Sequence, residues 1–106
     1  MFEVSIKTHF SAAHHLVGYP GHCAEQHGHN WEVEVFVRGA KLDKTGILAD
    51  FRKIKEGVRG LLEEIDHSDL NTLTAFRKRN PTSENIARFL YKELSKRIRD
   101  PRCRVS

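Results

Sequence analysis

The sequence predicts an α+β domain in which two helices cover one face of an antiparallel sheet. Three observations predict it. Two early segments alternate in polarity with a period of two, two later segments carry apolar residues at helical spacing, and the strands come before the helices. With 106 residues, the prior is one domain spanning 1–106.

From Phe2 to Phe10 the apolar or β-branched residues Phe2, Val4, Ile6, Thr8 and Phe10 alternate with Glu3, Ser5, Lys7 and His9. That reads as a strand with one buried face. Asn30 to Arg38 repeats the pattern through Trp31, Val33, Val35 and Val37, with only Phe36 breaking the polar face. Between these strands, residues 16–28 hold Gly18, Pro20, Gly21 and Gly28, the composition of a long loop. Loops of that length inside a compact domain are uncommon unless functional. After Gly39, a polar turn leads to a strand-like Ile47-Leu48. Asp50 is placed to cap a helix whose stripe is Phe51, Ile54, Val58, Leu61, Leu62 and Ile65. Gly57 and Gly60 each weaken it by ~1 kcal/mol relative to Ala, so packing must sustain it. A second helix opens at Pro81-Thr82-Ser83-Glu84, repeats Ile86, Leu90, Leu94 and Ile98, and stops at Asp100-Pro101. Arg102 to Ser106 reads as the opening of a further strand.

The hydrophobic fraction of 39% suits a globular core. A domain this small buries roughly two thirds of its unfolded surface, so a metal or a partner subunit would help it. No stretch approaches the ~20 apolar residues of a membrane helix. The N-terminus lacks the layout of a signal peptide, and Cys23 and Cys103 are too few for a disulfide scaffold, so the expected location is cytoplasmic. A formal charge of +4 is weak for a nucleic-acid binder and suits an anionic small molecule. No nucleic-acid or membrane partner is expected.

Histidine carries the chemistry. Of the seven, His14, His15, His22, His27 and His29 fall close together. In extended backbone, His27 and His29 project to one face and can reach a single ion. His14, at the end of the first strand, is the third candidate. Three neutral imidazoles with an open position describe a catalytic Zn2+ site, although other transition metals also accept nitrogen ligands. Cys23 near such a site would carry a depressed pKa, fit for proton transfer. It also fits an inert small side chain, or a fourth ligand closing a structural site. Asp66-His67 forms an orienting pair if the backbone leaves the helix there; otherwise His67 answers the helix dipole. Arg77-Lys78-Arg79 is either a solvated run or an anion contact.

Taken together, these motifs resemble the 6-pyruvoyl-tetrahydropterin synthase superfamily, and within it the 6-carboxytetrahydropterin synthases of queuosine biosynthesis. Phe10 to Leu16 is similar to F-x-A-A-H-x-L, and Cys23 to His29 to C-x-x-x-H-G-H. Gly46 to Phe51 resembles G-[MI]-[VL]-x-D-F, Ile65 to Asn71 resembles L-D-H-x-x-L-N, and Pro81 to Asn85 matches P-T-x-E-N. The resemblance implies the tunnelling fold, with four antiparallel strands and two helices per subunit, assembled as hexamers from two trimers. It implies Zn2+ on His14, His27 and His29, with Cys23, Asp66 and His67 as a catalytic relay and Thr82, Ser83 and Glu84 near the substrate. The implied substrate is 7,8-dihydroneopterin triphosphate, converted to 6-carboxytetrahydropterin with release of triphosphate and acetaldehyde. Relatives in the superfamily form the 6-pyruvoyl product, and a folate branch releases 6-hydroxymethyl-dihydropterin. A non-catalytic, zinc-stapled assembly module is the remaining alternative.

Two departures from the family pattern stand out. The family's last strand carries a glutamate that anchors the pterin ring, whereas this sequence stops at Arg104-Val105-Ser106, where that strand begins. The fourth strand is therefore expected to be truncated. Glu25, just before His27, resembles the glutamate that replaces the cysteine in the folate branch, which makes it an alternative acid or base.

Overall fold

A computed structural model of the chain describes residues 1–18 and 26–98 and the backbone of 103–105. Its centre is a long hairpin of β1 (Phe2–His14) and β2 (His27–Gly39), paired antiparallel from Phe2 opposite Gly39 to His14 opposite His27. Alternation sets this register, because a slip by one residue would turn Phe10, Trp31, Val35 and Val37 out of the core. Both strands reach further toward the loop than the alternation alone predicts, and this extension carries the histidines. A short third strand, β3 (Cys103–Val105), pairs with Val37–Gly39 on the other edge of β2, giving the order β1-β2-β3. Among the described residues the sheet therefore has three strands, and no fourth is seen.

Helix α1 (Phe51–Ile65) starts where the Asp50 carboxylate accepts from the Arg52 N–H. It buries Ile54, Val58, Leu61, Leu62 and Ile65, the predicted stripe without Phe51, which stays exposed. Gly57 has a packing reason. A Cβ there would lie 3.2 Å from Ile98 Cγ1, so the glycine lets the end of α2 approach. Helix α2 (Ser83–Arg97) is capped by the Thr82 hydroxyl, which accepts from the Asn85 N–H, and buries Ile86, Leu90 and Leu94. Both helices share one core with a single face of the sheet. The opposite face of the hairpin is polar, with Lys7 opposite Glu34, His9 opposite Glu32 and Glu3 ion-paired to Arg38.

The strand expected at Ile47-Leu48 does not form. The Asp43 carboxylate accepts from the backbone N–H groups of both Thr45 and Ile47, and the Asp43 N–H donates to the Ile47 carbonyl. These bonds close a compact loop that drops Leu48 and Ala49 into the core. The cause is local side-chain competition for the backbone. No helix among the described residues is long and apolar enough to cross a membrane.

Candidate metal centre and acid–imidazole pair

The register alone gathers the histidines. His14 lies opposite His27 and Ala12 opposite His29, so all three imidazoles leave the sheet on the face of Phe10 and Trp31. Each offers a ligand nitrogen, and these atoms all lie within 4.8 Å of one another. Trp31 floors the cluster, with its ring 4.9 Å from that of His14 and 4.7 Å from that of His29, and Phe10 stacks behind it at 5.0 Å.

His14 is the buried member, and its Nδ1 lies 2.8 Å from the Pro81 carbonyl. A carbonyl only accepts, so Nδ1 carries the proton and the other ring nitrogen keeps its lone pair. That is the outer-shell arrangement which orients a metal-binding histidine. Burial first, and then the neighbouring His27, His29 and His15, push the His14 pKa below its usual value, against the Pro81 bond, which raises it. A neutral imidazole is the ligating form. Donor type, spacing and tautomer therefore fit a transition metal held by His14, His27 and His29.

Asp66 and His67 sit where α1 ends. The Asp66 N–H still bonds back to Leu62, but its backbone is extended, and His67 adopts φ 56. The chain thus turns out of the helix and runs along the outer edge of β1. The His67 N–H donates to the Ser11 carbonyl, the Ala13 N–H donates to the Ser68 carbonyl, and Ala13 bridges Asp69. The Ser11 N–H donates to Asp66 Oδ1 at 2.9 Å, while Asp66 Oδ2 lies 3.0 Å from His67 Nδ1. The orienting pair foreseen from sequence has formed. Chiefly the Ser11 N–H, and then His67, hold the Asp66 carboxyl below its usual range. Beside the pair, Ser11, Ala13, Gly28, Asn30 and His67 line an open cleft of about 630 Å³ that reaches His29.

The other predicted residues divide. Thr82 is occupied as the cap of α2, Ser83 Oγ lies 3.4 Å from Trp31 Nε1, and Glu84 is exposed in the first turn. Cys23 and Glu25, like His22, lie outside the described residues. Sequence reasoning missed two asparagines. The Asn71 side chain bonds both the N–H and the C=O of His15, and Asn80 does the same for Val17, so two amides extend the pairing of β1 beyond His14. The Asn80-Pro81 dipeptide is a turn signal that pointed to this spot.

A β-hairpin with two helices on one face and a three-histidine cluster at its end defines a small α+β domain with a candidate metal centre. The chain belongs to the 6-pyruvoyl tetrahydropterin synthase family, whose profile matches residues 3–106. It is 38% identical over 96 residues to a putative 6-carboxy-5,6,7,8-tetrahydropterin synthase of Archaeoglobus fulgidus, covering 89% of this chain and 76% of the relative. It is 39% identical over 74 residues to a dihydroneopterin monophosphate aldolase of Pyrococcus furiosus, covering 70% of this chain and 60% of that protein. In structure it matches the 6-pyruvoyl tetrahydropterin synthase of Caenorhabditis elegans with a TM-score of 0.85 at 29% identity, covering 94% of this chain and 81% of the other.

Proposed function

We propose that this chain is a pterin synthase that converts 7,8-dihydroneopterin triphosphate, with uptake of water, to 6-carboxy-5,6,7,8-tetrahydropterin, acetaldehyde and triphosphate. The observation that carries the reading is the His14–His27–His29 cluster in a chain of this family. Zn2+ held there supplies Lewis acidity to the hydroxyls of the substrate side chain. The remaining work falls to the chain's own groups. Asp66 accepts from His67 Nδ1 and so leaves Nε2 as the proton-accepting atom. Cys23 moves protons on and off the side-chain carbons, with His67 Nε2 as its partner. Expulsion of triphosphate is an elimination, and addition of water across the C1′–C2′ bond then leaves a carboxyl on the ring and two carbons as acetaldehyde. The product is assigned to the queuosine pathway, and the reaction to the cytoplasm.

The active unit in this reading is a homohexamer of two trimers, with sites at subunit interfaces. The shape supports assembly. The radius of gyration is 15.8 Å and the extents are 53 × 20 × 20 Å, whereas a compact 100-residue domain measures about 13 Å. A hairpin this long projects an unshared strand edge of the kind that proteins cover.

The test is incubation of metal-loaded protein with dihydroneopterin triphosphate. Formation of acetaldehyde and 6-carboxytetrahydropterin supports the reading, and absence of both overturns it. A second reading has its own support in the aldolase name of the Pyrococcus relative. It is a retro-aldol cleavage to 6-hydroxymethyl-dihydropterin and a phosphorylated two-carbon aldehyde, with Glu25 as acid or base. The product spectrum separates the two, and a 6-pyruvoyl product with the carbon chain intact would point to a third member of the family. A colourless, inactive, metal-replete protein would leave the zinc-stapled module.

A further inference from the structure

We propose that Arg77, Lys78 and Arg79 form a docking rim for a polyphosphate chain beside the histidine cluster. The inference rests on the pterin triphosphate reading above and assigns the phosphate arm of that substrate. The run is exposed but rooted at both ends. Before it, Phe76 is buried and packs 5.5 Å from the ring of Phe89. After it, Asn80 is fastened to Val17, and the buried Pro81 offers its carbonyl to His14 Nδ1 at 2.8 Å. One imidazole ring, that of His14, therefore lies between the Pro81 carbonyl and the side of the cluster that faces a metal. Two residues of chain span at most ~7 Å, so the Arg79 backbone lies within that distance of Pro81, and a guanidinium extends the reach further.

The charge is also uncommitted. None of the three side chains joins an ion pair among the described residues, and no acidic residue occurs between Asp69 and Glu84. The other cations of the hairpin differ, since Arg38 is paired with Glu3 and Lys7 faces Glu34 across the strands. Two arginines offer planar, bidentate donors to phosphate oxygens, and the lysine adds a point charge. Three adjacent cations match one triphosphate. They are too few to track a nucleic-acid backbone, which demands a longer basic stripe.

The test is calorimetric titration of the full, metal-loaded protein with inorganic tripolyphosphate, with metal content checked after each run. R77A/K78A/R79A should bind about tenfold more weakly, as loss of charge-assisted hydrogen bonds implies, while R77K/R79K, which keeps the charge but loses the bidentate donors, should fall between that variant and the parent. K41A/K44A/K53A, an equal charge change at exposed lysines elsewhere, should bind as the parent does. With dihydroneopterin triphosphate, KM of the first variant should rise while kcat holds. Unchanged affinity in R77A/K78A/R79A would overturn the proposal. So would an equal loss in the lysine control, or equal displacement of tripolyphosphate by single-stranded RNA at physiological salt. An absence of turnover in every protein would sink the pterin reading alone, because the tripolyphosphate comparison needs no reaction.

Discussion

The histidine cluster and the Asp66–His67 corner are built in opposite ways. The cluster is a product of sheet register. Thirteen consecutive cross-strand partners lead to His14 opposite His27, and Phe10 and Trp31 pack beneath the rings. The corner is exposed, carries a left-handed histidine, and depends on two backbone groups of Ser11. A packed hairpin end holds three imidazoles together through strand register and the rings beneath them. A helix terminus turned along a strand edge holds one acid–imidazole pair. Damage to the first should therefore remove the metal, whereas damage to the second should leave metal and fold in place.

The largest effect is expected from His27→Ala. One of the three candidate ligands is lost, so metal content should fall to background and turnover with it, while the hairpin persists because His27 is only half-buried. Trp31 is the single tryptophan and lies against the cluster, so its fluorescence reports occupancy directly. Full metal retention in this variant would break the contrast at its stronger side.

His67→Gly tests the other side. Turnover should drop by roughly 10²- to 10⁴-fold, the usual contribution of a positioned acid or base. Metal content should not change. Stability should hold or rise by about 1 kcal/mol, because a left-handed backbone is strained for histidine and free for glycine. A clear fall in melting temperature would show that the corner is structural.

The two regions should also separate by pH. The His14 pKa is lowered, so as pH falls below the ordinary value of 6.5 the unfolded chain takes a proton that the folded site refuses. Stability is full above 6.5 and declines as pH falls toward the folded pKa, and protons compete with a metal for the same nitrogens, so binding weakens in the same direction. The Asp66 pKa is lowered from 3.8, so its contribution is present above 3.8 and disappears only as pH falls through its depressed folded value. On acidification, metal release read by Trp31 should therefore precede loss of the Asp66–His67 pair read by histidine NMR shifts. Simultaneous loss would mean that the two regions are one unit.

Regular elements and the meeting of three histidines were legible in the sequence because period-two and period-four patterns report burial, and His27-Gly28-His29 reports a shared face. Less regular features were not. Ile47-Leu48 looked like a strand because its apolar pair is real, but the Asp43 carboxylate captured the backbone first. The amide staples of Asn71 and Asn80 left no trace in hydropathy, since each acts on a partner more than fifty positions away. The turn at His67 was foreseen only as a condition for the pair, because a left-handed residue outside glycine has no compositional mark.

Gly28 gives the smallest expected effect and the finest test of the comparison. Gly28 lies between the two histidines and faces the far side of the strand. Its φ is not left-handed, a Cβ built there meets nothing within 4 Å, and the residue is exposed. The backbone therefore does not require glycine, and neither does the core. Gly28→Ala should shift stability by no more than about 0.5 kcal/mol, with a small gain from the stiffer unfolded chain. The three imidazoles lie on the opposite face and should bind metal as before. The new methyl would instead enter the cleft shared with Ser11, Ala13, Asn30 and His67. A raised KM with unchanged metal content and melting temperature would show that this cleft takes substrate. A change in metal content would mean that the two faces of the hairpin end are coupled through its backbone, contrary to the register argument.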